Sequence, residues 1–345
     1  MAGQPYRIDP LTLETSGREK LGGALNHAIS AHSKADPRTG ELFWFTYGNT
    51  PPYMRYGVAN AAGELIHDVP IDLPGPRSPH DLGLTEHYAI LHDLPLFQDA
   101  ELLRTGKRRV IRFHRDVPAR FGIIPRMGGT GDVRWFEAES CYILHLVNCW
   151  EDGDWVHQVG CRIPSPEQPI DPADGPLAKV LSYRRRVHEL YRWSFNLRTG
   201  AVREGSIDDA NTEFPRVNPL VLGRPSRLSF NQLLPMPGGE GLSGRTQTFD
   251  ALVRYDTETG SCQRWRYGEG VFGNEAPVAP KRDAAGGEDD AYVVTFVTDT
   301  KDWSSACLVF EACDITRGPI ARVKIPHRVS AGFHAAWLPG EQIFA

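Results

Sequence analysis

Imidazole is the side chain in this sequence best suited to do chemistry. It is largely neutral near physiological pH, offers a ring nitrogen lone pair, and binds Fe, Zn, Cu or Ni. Four of the twelve histidines stand in stretches with marked patterning. His80 opens SPHDLGLTEHYAILHDLPLF (residues 78–97), where a Pro-His-Asp turn leads into alternating apolar residues, a Thr-Glu-His turn and a second apolar run. His32 lies in ISAHSKADPRTGELFWF, His145 in CYILHLVNCWEDGD and His334 in HRVSAGFHAAW. Each has an ordinary reading as well. His32 precedes Ser33 and Lys34 in a polar loop and reads as surface. His145 in an apolar strand, and His334 between Phe333 and Ala335, read as hydrogen-bonded core residues.

The elements that would position these residues are strands. Short apolar-aromatic runs separated by polar turns recur at residues 6–21, 56–71, 191–204, 252–268 and 308–326. The turns carry Asp or Thr to bond the local backbone, and Gly where a positive φ is required. The 27 prolines and 34 glycines suit such a loop-rich all-β chain. Repeated antiparallel hairpins of similar size suggest propeller blades, with a sandwich of meanders as the alternative. Helical periodicity is confined to residues 176–193, whose Arg184, Arg185 and Arg186 read as a solvated face. Residues 286–290 read as an exposed turn ahead of a strand at 291–298.

Composition narrows the class further. A net charge of −5 without long like-charge blocks points away from nucleic acid. None of the six cysteines forms a C-x-x-C pair, which argues against zinc-ribbon and thioredoxin-like chemistry. The first residues show no secretory leader pattern, and no apolar run is long enough to span a bilayer. A cytoplasmic protein is expected.

Taken in chain order, several long stretches resemble the carotenoid cleavage oxygenases, a family that includes carotenoid, apocarotenoid and lignostilbene dioxygenases and the retinoid isomerase of the eye. They are AHSKADPRTGEL, SPHDLGLTEHYAILHDLPLF, RFGIIPR, WFEAESCYILHLVNCWEDGD, EFPRVNP, NEAPVAP and RVSAGFHAAW. The resemblance runs from about Pro5 to Trp337. It implies a single domain over residues 1–345: a seven-bladed β-propeller, incomplete at its N-terminus, with a loop and helix dome over one face. Residues 164–175 and 233–244 are candidate parts of that dome. It implies Fe(2+) held by His32, His80, His145 and His334, with Glu213 and Glu275 as carboxylates that orient the rings. A further family glutamate falls where Met1 and Ala2 stand. The chain is accordingly expected to be a truncated gene model or a shortened variant that begins with YRIDP as the second half of a hairpin.

The expected activity is a non-haem Fe(II) dioxygenase that uses O2 to cleave a conjugated C=C bond of a carotenoid or apocarotenoid into two carbonyl products. A lignostilbene-type enzyme cleaving a phenolic stilbene is the first alternative. A noncatalytic truncated propeller is the second, and an isomerase-hydrolase of retinyl esters the third. The expected partners are a lipophilic or aromatic substrate and O2. Peripheral membrane contact is compatible with such a substrate, although DLPLF (residues 93–97) reads as a strand end. Phe113, Phe121, Trp135, Phe136, Trp150 and Phe272 are candidate tunnel walls that also read as ordinary β-core.

Overall fold

The computed structural model describes residues 2–98, 111–237, 248–282, 286–330 and 334–343. They are almost wholly strands and turns, with seven-residue Ala178–Arg184 the longest helix among them. The chain divides into two compact units. The first comprises Met1–Gln158, Ser194–Glu204 and Gly340–Ala345, and the second Val159–Trp193 and Gly205–Pro339.

The first unit holds two four-stranded antiparallel meanders. One runs Lys34–Ala35, Leu42–Tyr47, Met54–Ala59, Leu65–Ile71. The other runs Gly83–Leu84, Tyr88–Asp93, Ala119–Pro125, Arg134–Ala138. Each opens on a two-residue strand and ends on a partly exposed one. Between these meanders Phe43, Phe45, Met54, Tyr56, Leu84 and Leu91 form one apolar cluster. DLPLF is mostly buried, and Leu96–Gln98 pairs with Ile111–Phe113. Phe121 and Phe136 are also core, their rings 5.0 and 5.3 Å from that of Phe195.

The second unit repeats the plan. Thr212–Arg216, Leu228–Leu233, Ala251–Asp256 and Cys262–Arg266 form one meander. In the next sheet, Val271–Gly273 and Val278–Pro280 both pair with Ala291–Asp299, which continues to Ser305–Glu311 and Ala321–Ile325. Ala291–Asp299 alternates buried and half-buried residues for most of its length, as a strand packed on one face must. Phe230, Leu252, Val293, Leu308 and Phe310 belong to the shared core.

One turn joins many of these strands. In DPRTGE the Asp36 carboxylate accepts the Arg38 N–H, Asp36 N–H donates to the Glu41 carbonyl, and Gly40 takes φ +71°. NLRTGA and DTETGS repeat it at Asn196 and Asp256, with Gly200 at φ +80° and Gly260 at +74°. An Asx side chain that caps its own turn, followed by a residue free to adopt a left-handed conformation, sets hairpin register from local sequence alone.

Three expectations need correction. Residues 176–193 are not one helix: Ala178–Arg184 is helical and Glu189–Asn196 is a strand, because the apolar spacing that suggests a helix also alternates from Tyr191 onward. Arg185 and Arg186 are not a solvated face. Arg185 pairs with Asp174 at 2.6 Å, and buried Arg186 donates to the Pro166 carbonyl at 3.2 Å. Tyr6–Ile8 is the first half of its hairpin, paired with Thr15–Arg18. The 286–290 turn is exposed at Gly286 and Gly287, but the Glu288 carboxylate accepts N–H groups of Arg227 and Leu228 at 2.9 Å. The dome candidate at 233–244 falls largely outside the described residues.

Candidate metal centre

His32 and His80 occupy equivalent places, just ahead of the two-residue strands that open the two meanders of the first unit. His145 lies in Tyr142–Asp152, the next strand run in the chain. These three segments converge. The rings of His32 and His80 are 4.4 Å apart, those of His32 and His145 4.9 Å, and those of His80 and His145 5.1 Å. One ring nitrogen from each lies within 4.8 Å of the others. Two nitrogens bound to one ion at ~2.1 Å are at most about 4.2 Å apart. The three nitrogens thus stand close to the spacing that one shared ion requires.

The electrostatics favour neutral ligands. Burial, with the neighbouring His32 and His145 adding to it, lowers the His80 pKa to about 3. Its lone pair is thus available across the physiological range. Neutral imidazole donors suit a transition metal, and the site fits one. The ordinary surface reading of His32 does not hold, since the residue is half-buried against two other imidazoles.

Beside this cluster lies an ion pair whose carboxylate is buried and whose ammonium is partly so. Lys34 Nζ stands 2.7 Å from Asp81 Oδ1. The Asp81 carboxylate also accepts the Leu82 N–H at 2.8 Å and the Leu146 N–H at 3.0 Å. Burial alone would raise its pKa, but the Lys34 ammonium, with His32 and the Leu146 N–H, holds it far below the usual carboxylate range. Sequence reasoning passed over this pair. The available signal was a charged residue within two positions of a candidate histidine in each of AHSKAD and SPHD.

The second unit holds the remaining predicted residues. Glu275 sits in the link between Val271–Gly273 and Val278–Pro280. His334 Nδ1 lies 3.4 Å from its Oε1, and the Ala335 N–H donates to its Oε2 at 2.5 Å. Arg216 donates to the Ala335 carbonyl at 2.7 Å and places Nε 3.7 Å from the same carboxylate. Burial pushes the Glu275 pKa up, but the contacts with His334, Arg216 and the Ala335 N–H outweigh it and hold the group below its ordinary value. Glu213 is buried in Thr212–Arg216 and accepts the Phe214 N–H, beside a β-bulge. Phe214 adopts φ +52°, and its ring packs 5.3 Å from that of His334. A bulge re-aims the side chains around it, and a bulky residue in this region is strained by about 1–3 kcal/mol. Residues 331–333 of the His334 stretch lie outside the described residues.

Known proteins match along nearly the whole chain. It is 33% identical over 356 residues to carotenoid 9,10(9',10')-cleavage dioxygenase 1 of Arabidopsis thaliana, covering 99% of this chain. It spans 64% of that relative's length, and likewise 64% of the Crocus sativus carotenoid 9,10(9',10')-cleavage dioxygenase. The crystal structure of Pseudomonas brassicacearum lignostilbene dioxygenase superposes with a TM-score of 0.85 at 29% identity, covering 98% of this chain and 72% of that one. The family model described as Retinal pigment epithelial membrane protein matches residues 1–339. The chain therefore belongs to the Retinal pigment epithelial membrane protein family, that of the carotenoid cleavage oxygenases.

Proposed function

We propose that the protein is a non-haem Fe(II) dioxygenase that uses O2 to cleave a conjugated C=C bond of a carotenoid or apocarotenoid into two carbonyl products. The convergence of His32, His80 and His145 carries this reading. His334 is assigned as the fourth ligand, with Glu275 accepting its second ring N–H and fixing the ring. Glu213 is assigned as a second orienting carboxylate from its place in EFPRVNP.

Iron, when bound, supplies the O2 chemistry that protein side chains lack. The chain's own part is to present neutral imidazoles, each with one bare ring nitrogen, and to hold their planes, and no protein nucleophile is called for. Seven blades, a dome, one domain over residues 1–345 and a cytoplasmic site of action belong to the same proposal. Among the described residues no helix is long and apolar enough to cross a membrane. Peripheral contact with a bilayer, where such substrates reside, is part of the proposal.

The names of the relatives support the substrate class. The match to a lignostilbene dioxygenase structure favours a second reading, cleavage of a phenolic stilbene. The test is iron content per chain after anaerobic purification with Fe(II), for the protein and for His145→Ala, followed by product analysis on apocarotenoid and stilbene panels. One iron per chain, absent from the variant, with two carbonyl products from one panel, is the expected result. A folded protein that takes up no iron would leave the noncatalytic reading standing.

A further inference from the structure

We propose that the Lys34–Asp81 ion pair is the positioning element of the three-histidine cluster, acting through charge as well as shape. The inference rests on the metal-binding reading above and assigns residues that reading does not use.

The argument is one of connectivity. The three histidines come from segments distant in sequence, and nothing local sets their mutual geometry. Lys34 lies two residues after His32, Asp81 directly after His80, and Leu146 directly after His145. Through Lys34 Nζ at 2.7 Å and the Leu146 N–H at 3.0 Å, one carboxylate ties all three segments within two residues of each imidazole. The Leu82 N–H, at 2.8 Å, fixes the carboxylate's own orientation. A buried carboxylate that has these three donors and a full countercharge is rigid, and breaking such a pair leaves an uncompensated buried charge. The carboxylate is also committed to these donors, so that the donor set toward a metal stays one of neutral imidazoles although an acid stands next to His80. A purely structural pair elsewhere in the fold would stabilise the chain without affecting the ligand field at the histidines.

The experiment uses the full chain and Co(II) as the probe, reading affinity by titration, the visible ligand-field spectrum, and thermal stability. The variants are Asp81→Asn, Lys34→Met, the two combined, and Lys34→Arg. Asp81→Asn keeps the size and removes the charge, and its one amide oxygen accepts only one of the Leu82 and Leu146 N–H bonds, which end on different carboxylate oxygens. Its Co(II) affinity is expected to fall roughly 10–100-fold, as for loss of a group that orients metal ligands, with a changed spectrum. Lys34→Arg should restore most of the affinity and the wild-type spectrum. The combined variant should be no worse than the poorer single one, since the two residues act as a unit. If an Asp81→Asn protein that remains folded binds Co(II) within about 2-fold of wild type with an unchanged spectrum, the proposal is overturned and the metal site survives. Additive losses in the combined variant overturn it equally. If wild type itself takes up no Co(II), the metal-binding reading falls and takes this one with it. Should Asp81→Asn not fold, Lys34→Met and Lys34→Arg carry the same comparison, because Lys34 is partly exposed.

Discussion

In the first unit, a histidine stands just ahead of the short strand that opens each meander, His32 before Lys34–Ala35 and His80 before Gly83–Leu84. In the second unit two buried carboxylates lie in the early strands of its sheets: Glu213 inside Thr212–Arg216, and Glu275 between two short strands that both pair with Ala291–Asp299. Under the proposed function, the first unit's openings would offer ligands and the second unit would offer carboxylates to orient one. The units also neutralise buried charge differently. Asp81 is held by an ammonium and two backbone N–H groups, and meets the His32 segment through the Lys34 side chain and the His145 segment through the Leu146 N–H. Glu275 meets the imidazole of His334 directly and shares its charge with Arg216.

This contrast yields predictions of graded size. The largest concerns the ligands: His145→Ala should abolish stoichiometric iron binding, measured as metal per chain. Glu275→Gln should weaken it by roughly 10–100-fold without abolishing it, because an orienting group is lost and a ligand is not. Equal losses from the two variants would erase the distinction between the units.

Stability sharpens the comparison at a lower level. Gly57 pairs with buried Trp44 across its sheet. A Cβ there would lie 2.1 Å from the indole ring and 2.5 Å from the His67 carbonyl oxygen. Because backbone blocks one side, Gly57→Ala should cost about 3 kcal/mol, the upper end for overpacking. At Gly273 in the second unit the nearest obstruction is the Tyr267 side chain, at 2.4 Å. A side chain can give way, at the expense of the Tyr267 bond to Gln232, so Gly273→Ala should cost about 1 kcal/mol. Urea midpoints in the reverse order would show that the ring, and not the backbone, is the harder wall.

The smallest effect is in pH. Burial raises the Asp36 pKa, but the Arg38 N–H and the Arg126 guanidinium, 2.7 Å away, outweigh it and hold the group below 3.8. A carboxyl depressed in the folded state stabilises above its unfolded value of about 3.9 and loses that contribution as pH falls through the folded value. The stability advantage of the protein over Asp36→Asn should therefore be present at neutral pH and shrink on acidification below about pH 4. A gap that widens in acid would contradict the assignment.

Much of the fold was legible in the chain. DPRTGE, NLRTGA and DTETGS specify their turns through an Asx cap and a glycine, so the hairpins follow from contacts between near neighbours. The four histidines and two glutamates could be singled out as candidates, because each sits in a long motif. Residues 176–193 were misread because a short apolar spacing fits helix and strand alike until its neighbours choose. Lys34 and Asp81 lie 47 residues apart in sequence and were not legible as a pair, although both were in view. Local sequence determined the strands, the turns and the residue types offered at each opening strand, since these depend on backbone preference and side-chain chemistry. Only the tertiary structure decided that His32, His80 and His145 meet, and that Asp81 is charged beside them. Those facts depend on which distant segments pack together and on the water that packing removes.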